Sequence, residues 1–188
     1  MEIETARLLL REFTMEDWPE VMAYMSDPRY QRFYPESDIS PETIRELMVE
    51  RYLDDPLEPT PHMMQLAITI KPIPRVVGSC GVRMDSPDAV KADIGYELLP
   101  AVWGRGYATE AAGAMVRHGF ETFKVHRIWA HCTAENMASR RVLEKLGLRR
   151  EGQLRENEYF RGRWWDTLIY GILESEWREF NGLSSSPE

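Results

Sequence analysis

The sequence predicts an α+β protein built on one mixed sheet, and three observations carry that prediction. Strand-like runs at residues 63–70, 76–84 and 92–99 follow one another with only short turn segments between them, Lys71-Pro72 to Pro74 and Asp85 to Asp88, which is the pattern of an antiparallel meander. A helical run then connects the third of these to a strand at 128–133, and a strand–helix–strand link favours a parallel pair. Near the end, runs at 149–159 and 164–173 flank Arg161-Gly162, a hairpin signal. With a first strand at residues 6–11, the expected sheet is antiparallel across strands 1–4, parallel between strands 4 and 5, and completed by a C-terminal β-hairpin.

Each element has a local reason. Residues 6–11 (ARLLLR) are apolar and flanked by charge. Thr14 with Asp17 three residues later resembles an N-cap with an acid in the first turn. The helix it opens carries Trp18, Val21, Met22 and Met25 at helical spacing, and Asp27-Pro28 stops it. Residues 30–35 (YQRFYP) form an aromatic segment, a candidate lid over a substrate. Ser40-Pro41 is a cap followed by proline at the first helical position, and Ile44, Leu47, Met48 and Tyr52 fall on one side of that helix. Core packing is the expected use of these aromatic and methionine side chains. Prolines and acids in residues 54–62 make an irregular loop. The helix after the fourth strand reaches about Phe123, with Ala112, Met115, Val116, Gly119, Phe120 and Phe123 as its core stripe. Asn136 opens another helix that ends with Gly147 in the C-cap position. Trp177 and Phe180 mark a short amphipathic C-terminal turn. The expectation is one domain over residues 1–180 and a flexible tail over 181–188.

Composition narrows the function. The chain has 188 residues, 43% hydrophobic and 29% charged, an ordinary globular balance without a bilayer-length apolar run. The start, MEIETARLLLREF, lacks the basic and apolar blocks of a signal peptide, so the cytoplasm is the expected location. Cys80 and Cys132 sit in apolar strand-like runs as buried thiols, and with four scattered histidines there is no metal-ligand spacing. The net charge of −8 is segregated. Residues 1–102 carry 10 basic and 19 acidic side chains, residues 103–150 carry nine and four, and residues 151–188 carry four and eight. A basic middle in an acidic chain suits an anionic ligand there and a cationic one elsewhere, and argues against nucleic acid as a partner.

The basic segment opens with Trp103 to Thr109, WGRGYAT, where a strand turns into a helix. Glycines there leave backbone N–H groups bare at the positive end of the helix dipole, a phosphate-binding arrangement. A plain tight turn is the competing reading. A Walker loop needs a Gly-Lys pair that is missing, and the third glycine of a dinucleotide fingerprint falls on Thr109. Small residues in the first helical turn, Ala108, Thr109, Ala111 and Ala112, let a bulky diphosphate approach the backbone. Where the two neighbouring strands part above such a turn, a narrow ligand can enter and use their unpaired backbone groups.

Four blocks in order, ETARLLLREF, IGYELLPAVWGRGYATEA, ENMASRRVLEKLGLRREG and WDTLIY, resemble the GNAT superfamily of N-acetyltransferases, and within it the RimJ/RimL-like branch of ribosomal-protein N-terminal acetyltransferases. The resemblance implies acetyl-CoA as donor, and the cysteine and histidine spacing already leaves no metal expected. It places the family's diphosphate loop, Q/R-x-x-G-x-G/A, on Trp103, Gly104, Arg105, Gly106, Tyr107 and Ala108; Trp103 departs from the general pattern but is usual in this branch. Backbone donors from Gly104 to Thr109 would hold the phosphates, the backbone of Glu97, Leu98 and Leu99 would pair with the pantetheine arm, and the Asn136 amide would contact the same arm. Asn136 also reads as a simple N-cap, and the two uses are compatible. The tyrosine that many members use to protonate the leaving thiolate falls here on Leu143, so Ser139 becomes the candidate, with Tyr159 as the fallback; Ser139 also reads as a small polar residue of a first helical turn.

Acyl transfer also needs a neutral amine and a donor for the carbonyl oxygen, the latter from the N–H of Leu98 or Leu99. Glu97 is the first candidate base, with a structural carboxylate as its alternative. Asp93 is another candidate base, Glu110 is expected to complement the helix dipole, and water-assisted deprotonation needs no single base. The implied acceptor is a cationic amine, first a protein or peptide N-terminus, second a small amine such as a polyamine or aminoglycoside. A non-catalytic acyl-CoA-binding domain is the third alternative, and strand edges with the C-terminal hairpin allow a homodimer.

Overall fold

The computed structural model describes residues 1–35, 40–52 and 62–183. The expected loop over 54–61 and the tail over 184–188 lie outside the described residues. In chain order the elements are β1 (Glu2–Glu4), β2 (Leu8–Arg11), α1 (Trp18–Met25), α2 (Pro28–Gln31), α3 (Pro41–Arg51), β3 (Met63–Ile70), β4 (Ile73–Met84), β5 (Lys91–Leu98), α4 (Tyr107–Glu121), β6 (Arg127–Thr133), α5 (Met137–Lys145), β7 (Arg149–Phe160), β8 (Arg163–Leu173) and α6 (Glu174–Phe180). One eight-stranded sheet has the order β1-β2-β3-β4-β5-β6-β8-β7. The mixed α+β sheet is as expected: only β5 and β6 run parallel. No helix among the described residues is long and apolar enough to cross a membrane.

Caps and prolines set the helices on the N-terminal side. Asp17 accepts from the Thr14 N–H at 2.8 Å, but the segment opens as a 3-10 turn at Met15–Asp17 before α1 begins. Asp27-Pro28 ends α1 and also starts α2, because Asp27 accepts from the Arg29 N–H and Pro28 occupies a position where no N–H is needed. The expected lid at residues 30–35 therefore begins helical, and Arg161 in the β7–β8 turn ties it down through Nε to the carbonyls of Gln31 (3.0 Å) and Tyr34 (3.2 Å). Ser40 caps α3 as expected, accepting from the Thr43 N–H.

Two cores lie on opposite faces of the sheet, since adjacent strand residues point to opposite sides. On β3, Leu66 and Ile68 join Val82, Ile94, Met115, Phe120, Ile128 and Tyr170 under α4, α5 and α6. Ala67 between them joins Phe13, Val21, Tyr24, Ile44 and Met48 under α1 and α3. Gly119 lets α4 sit close to the sheet: a Cβ there would lie 2.8 Å from Ile128 Cδ1 and 3.2 Å from Val82 Cγ2. Three residues of the expected tail, 181–183, are described. Asn181 and Leu183 are held by bonds to the carbonyls of Trp177 and Arg178, and Leu183 packs on the larger core.

The feature that positions the site is a parting of two strands. β5 and β6 pair only at Lys91–Arg127, Ala92–Ile128 and Asp93–Trp129. Beyond these three pairs β5 continues to Leu98 and β6 to Thr133 without pairing to each other, and β6 takes β8 as its other neighbour.

Candidate active site

The turn after β5 has the geometry a diphosphate requires. Gly104 and Gly106 have φ of 75° and 82°, the left-handed region that glycine enters without a Cβ penalty. A Cβ at Gly104 would meet nothing within 4 Å, so the space above the turn is open. Residues 103–106 are exposed. The first intrahelical bond of α4 runs from the Glu110 N–H to the Gly106 carbonyl at 3.0 Å, and no side chain caps the helix. The N–H groups of Tyr107, Ala108 and Thr109 therefore precede the helical ladder at the positive end of a 15-residue helix, where an anion satisfies them. Trp103 fastens the turn to the strand, its Nε1 donating to the Leu98 carbonyl at 2.7 Å.

Ladder alternation decides which groups of β5 face the gap. The Leu99 N–H donates to the Val77 carbonyl at 2.7 Å, which makes Leu99 and Val77 a bonded pair. In an antiparallel ladder the next pair, Leu98–Gly78, is then unbonded, Glu97–Ser79 bonded and Tyr96–Cys80 unbonded. Leu98 and Tyr96 thus turn their backbone groups toward β6. Of residues 97–99, only Leu98 turns its backbone groups to the gap, its carbonyl already accepting from Trp103, and Tyr96 does so as well. Leu99 is corrected out of both the oxyanion and the arm role, because β4 already uses its N–H.

Across the gap, Asn136 caps α5 by accepting from the Ser139 N–H at 3.1 Å through Oδ1, which leaves its Nδ2 amide for another partner. Ser139 Oγ lies 2.9 Å from the Tyr96 hydroxyl, which also donates to the Ser139 carbonyl at 3.0 Å. Burial raises the Tyr96 hydroxyl above its ordinary value and Ser139 lowers it in part, so Tyr96 stays protonated. Leu143 is fully buried in the core under α5. Cys80 and Cys132 are free, buried thiols, and burial pushes Cys80 up to about 12.

On the face under α1 and α3, Glu97 sits in a cage of hydroxyls. Its Oε1 accepts from Tyr24 (3.0 Å), Tyr52 (2.6 Å) and Ser79 (2.8 Å), and its Oε2 accepts from Tyr30. Phe13 stacks on Tyr52 at 4.5 Å and Tyr34 on Tyr30 at 4.7 Å, walling the cage with rings. Burial, then the Glu97 charge, raises the hydroxyls of Tyr24, Tyr30 and Tyr52 far above the ordinary tyrosine range. They remain protonated and all donate inward.

Sequence reading singled out Tyr52 and residues 30–35 for other reasons and missed the cage. Ser79 meets Glu97 only through the β4–β5 register, and Tyr24 reaches it from α1 and Tyr52 from the residue that ends α3. The cross-strand polar pair inside two apolar runs was the available signal.

The other candidates fall elsewhere. Asp93 is paired with Arg83, through Nε at 3.0 Å and through Nη2. Glu110 does sit in the first turn of α4, but it is taken up by Thr5 and Arg7. Arg105 is exposed beside the turn. Tyr159 is not brought to the site: it is 61% exposed, packs on Trp164 at 5.2 Å, and points to the face opposite Glu158, the β7 residue that lines the cleft. One cleft of about 1540 Å³ joins Gly104, Asn136 and Ser139 to Tyr30, Tyr52 and Glu97 through the parting of the strands.

Known proteins resemble this chain in sequence and fold. Residues 7–149 match the Acetyltransferase (GNAT) domain family. The uncharacterized N-acetyltransferase YnaD of Bacillus subtilis (strain 168) is 34% identical over 177 residues, spanning 94% of this chain and 99% of its own. The crystal structure of a GNAT-family acetyltransferase from Bacillus anthracis superposes with a TM-score of 0.80 at 32% identity, covering 93% of this chain and 99% of that one. A shorter stretch of 84 residues is 29% identical to the ribosomal protein uS5-alanine N-acetyltransferase of Escherichia coli, 45% of this chain and 43% of that one. The family match runs from Arg7 ahead of β2, across both parted strands and the glycine turn, to the start of β7; the chain belongs to the GNAT family of acetyltransferases and is an acyltransferase enzyme.

Proposed function

We propose that the protein transfers the acetyl group of acetyl-CoA to a primary amine, with the N-terminal α-amine of a protein or peptide as acceptor. The observation that carries this reading is the single cleft linking the uncapped start of α4 to the Glu97 cage through the gap between β5 and β6. The diphosphate of CoA lies on the N–H groups of residues 107–109 and the glycine turn. The pantetheine arm runs down the gap along Leu98 and Tyr96, with the Asn136 amide on its other side, and the thioester ends between Ser139 and Glu97.

The chemistry follows from those positions. The ammonium enters the cage as a cation: Oε1 of Glu97 is filled by three hydroxyls, while Oε2 accepts one and keeps capacity for another donor. Glu97 takes the amine proton directly or through water. The neutral nitrogen attacks the thioester carbon, the Leu98 N–H meets the oxygen as it gains charge, and the carbon–sulfur bond breaks. Ser139, with its Oγ set by Tyr96, gives its proton to the departing thiolate and regains one from the nitrogen, through water, as the amide forms, while the first amine proton stays on Glu97 until product leaves. Support for a protein acceptor comes from the uS5-alanine N-acetyltransferase similarity.

The test is thiol release from acetyl-CoA with a panel of N-terminal peptides, spermidine and an aminoglycoside. Peptides should turn over fastest, with mass spectrometry placing the acetyl group on the α-nitrogen. Preferred turnover of the polyamine or aminoglycoside overturns the acceptor assignment; CoA bound without turnover of any amine overturns the reaction.

A further inference from the structure

Arg7, immediately ahead of β2, is far in sequence from the glycine turn and touches it on three sides. Its Nη1 donates to the Arg105 carbonyl at 2.9 Å, its ring-facing guanidinium lies 4.6 Å from the Tyr107 centroid, and its Nη2 is 3.4 Å from where a Cβ on Gly106 would stand. Glu110 holds the same guanidinium from behind, accepting from Arg7 Nε at 2.7 Å and from the Arg7 backbone N–H at 2.8 Å. Thr5 adds a bond to Glu110 at 2.6 Å.

The Arg105 carbonyl and the Gly106 N–H belong to one planar trans peptide, in which the two groups point in opposite directions. A carbonyl held toward Arg7 on the β2 flank therefore aims the Gly106 N–H the other way. Gly106 lines the cleft and Arg7 does not, so that other way is the cleft side. At φ of 82° Gly106 has little conformational restraint of its own, and without an outside anchor the peptide could turn over. We infer that Arg7 is a positioning residue for donor binding: it fixes the Arg105–Gly106 peptide so that the Gly106 N–H is preset for the diphosphate of CoA. This rests on the diphosphate reading of the turn. It does not come from the ion pair as a source of stability, because the Arg7 side chain is 47% exposed and half-exposed pairs contribute little.

Calorimetric titration of the full chain with CoA and with pantetheine, which lacks the diphosphate, tests it without an acceptor. Arg7→Ala should weaken CoA binding by about tenfold while pantetheine binding stays within about twofold. Arg7→Lys keeps the charge but cannot fork between Glu110 and the Arg105 carbonyl, and should also lose most of the CoA affinity. Equal losses for CoA and pantetheine, unchanged CoA binding in Arg7→Ala, or full rescue by lysine would each overturn the inference. Failure of the wild-type protein to bind CoA more tightly than pantetheine would instead overturn the diphosphate reading beneath it.

Discussion

Ser139 shows how one side chain takes its task from the group beside it. Its hydroxyl is in a first helical turn, where serine is common for local reasons, but the Tyr96 hydroxyl 2.9 Å away and the Asn136 cap on its N–H fix where Oγ points. Ser139→Ala removes that proton source and leaves the cap acceptor and the glycine turn in place. Turnover with the best acceptor should fall roughly 100-fold, within the usual range for a single acid, while CoA affinity measured by calorimetry changes less than about twofold. Undiminished turnover removes Ser139 from the mechanism. Asn136 and Ser139 were legible because they lie three residues apart at a strand-to-helix junction that the resemblance marks. Tyr96 was not, since its partner lies 43 positions away across the strand gap. The hydroxyl cage was hidden for the same reason. Tyr24 of α1, Tyr30 of α2, Tyr52 just after α3 and Ser79 of β4 converge on Glu97, and nothing local distinguishes the three tyrosines from core ones.

Among the elements, β3 agrees with the reading at both ends, whereas β4 starts at Ile73, inside the expected turn up to Pro74, and β2 starts at Leu8, two residues later than expected. β1 escaped because three residues, EIE, carry no period. The placing of β8 between β6 and β7 also escaped, though a signal existed: RWWDTLIYGIL is apolar enough for a strand with two neighbours, while RREGQLRENEYF is mostly exposed and charged, as an edge strand is. The end of β5 carries the tightest constraint. Gly78 on β4 faces Leu98, and a Cβ there would lie 2.1 Å from the Glu97 carbonyl oxygen and 2.8 Å from the Leu98 Cα, backbone atoms that no rotamer change can move. Gly78→Ala should therefore push the end of β5 outward, along the stretch that has already parted from β6. The expected cost is about 1–3 kcal/mol in a denaturant titration, with weaker CoA binding beside it. A variant within about 0.5 kcal/mol of wild type, binding CoA normally, would show that the strands have more room than this.

At the scale of the whole molecule, the sheet is two blocks, β1 to β5 and β6 with β8 and β7, whose direct bonding is three residue pairs. α4 packs across the seam, its Met115 and Phe120 sharing a core with Ile94 of one block and Ile128 of the other. The cleft at this seam carries both charges: Arg83, Arg141 and Lys145 line it together with Glu12, Glu50, Glu135 and Glu158. A ligand filling the gap contacts both blocks and the start of α4 only when they are folded together, so its binding energy becomes stability of the folded chain. CoA at about 100 times its Kd should add about 2.7 kcal/mol. For a chain of this length that corresponds to a rise in Tm of roughly 5–10 °C by calorimetry or fluorescence. Gly106→Asp places a carboxylate where the diphosphate belongs and should abolish most of the rise; because φ there is 82°, a conformation side chains rarely adopt, it should also lower the ligand-free Tm by roughly 2–8 °C, and the rise is read against the variant's own ligand-free value. A rise of equal size in that variant would mean that CoA stabilises the protein from somewhere other than the gap, and the account of how the two blocks are joined would fail with it.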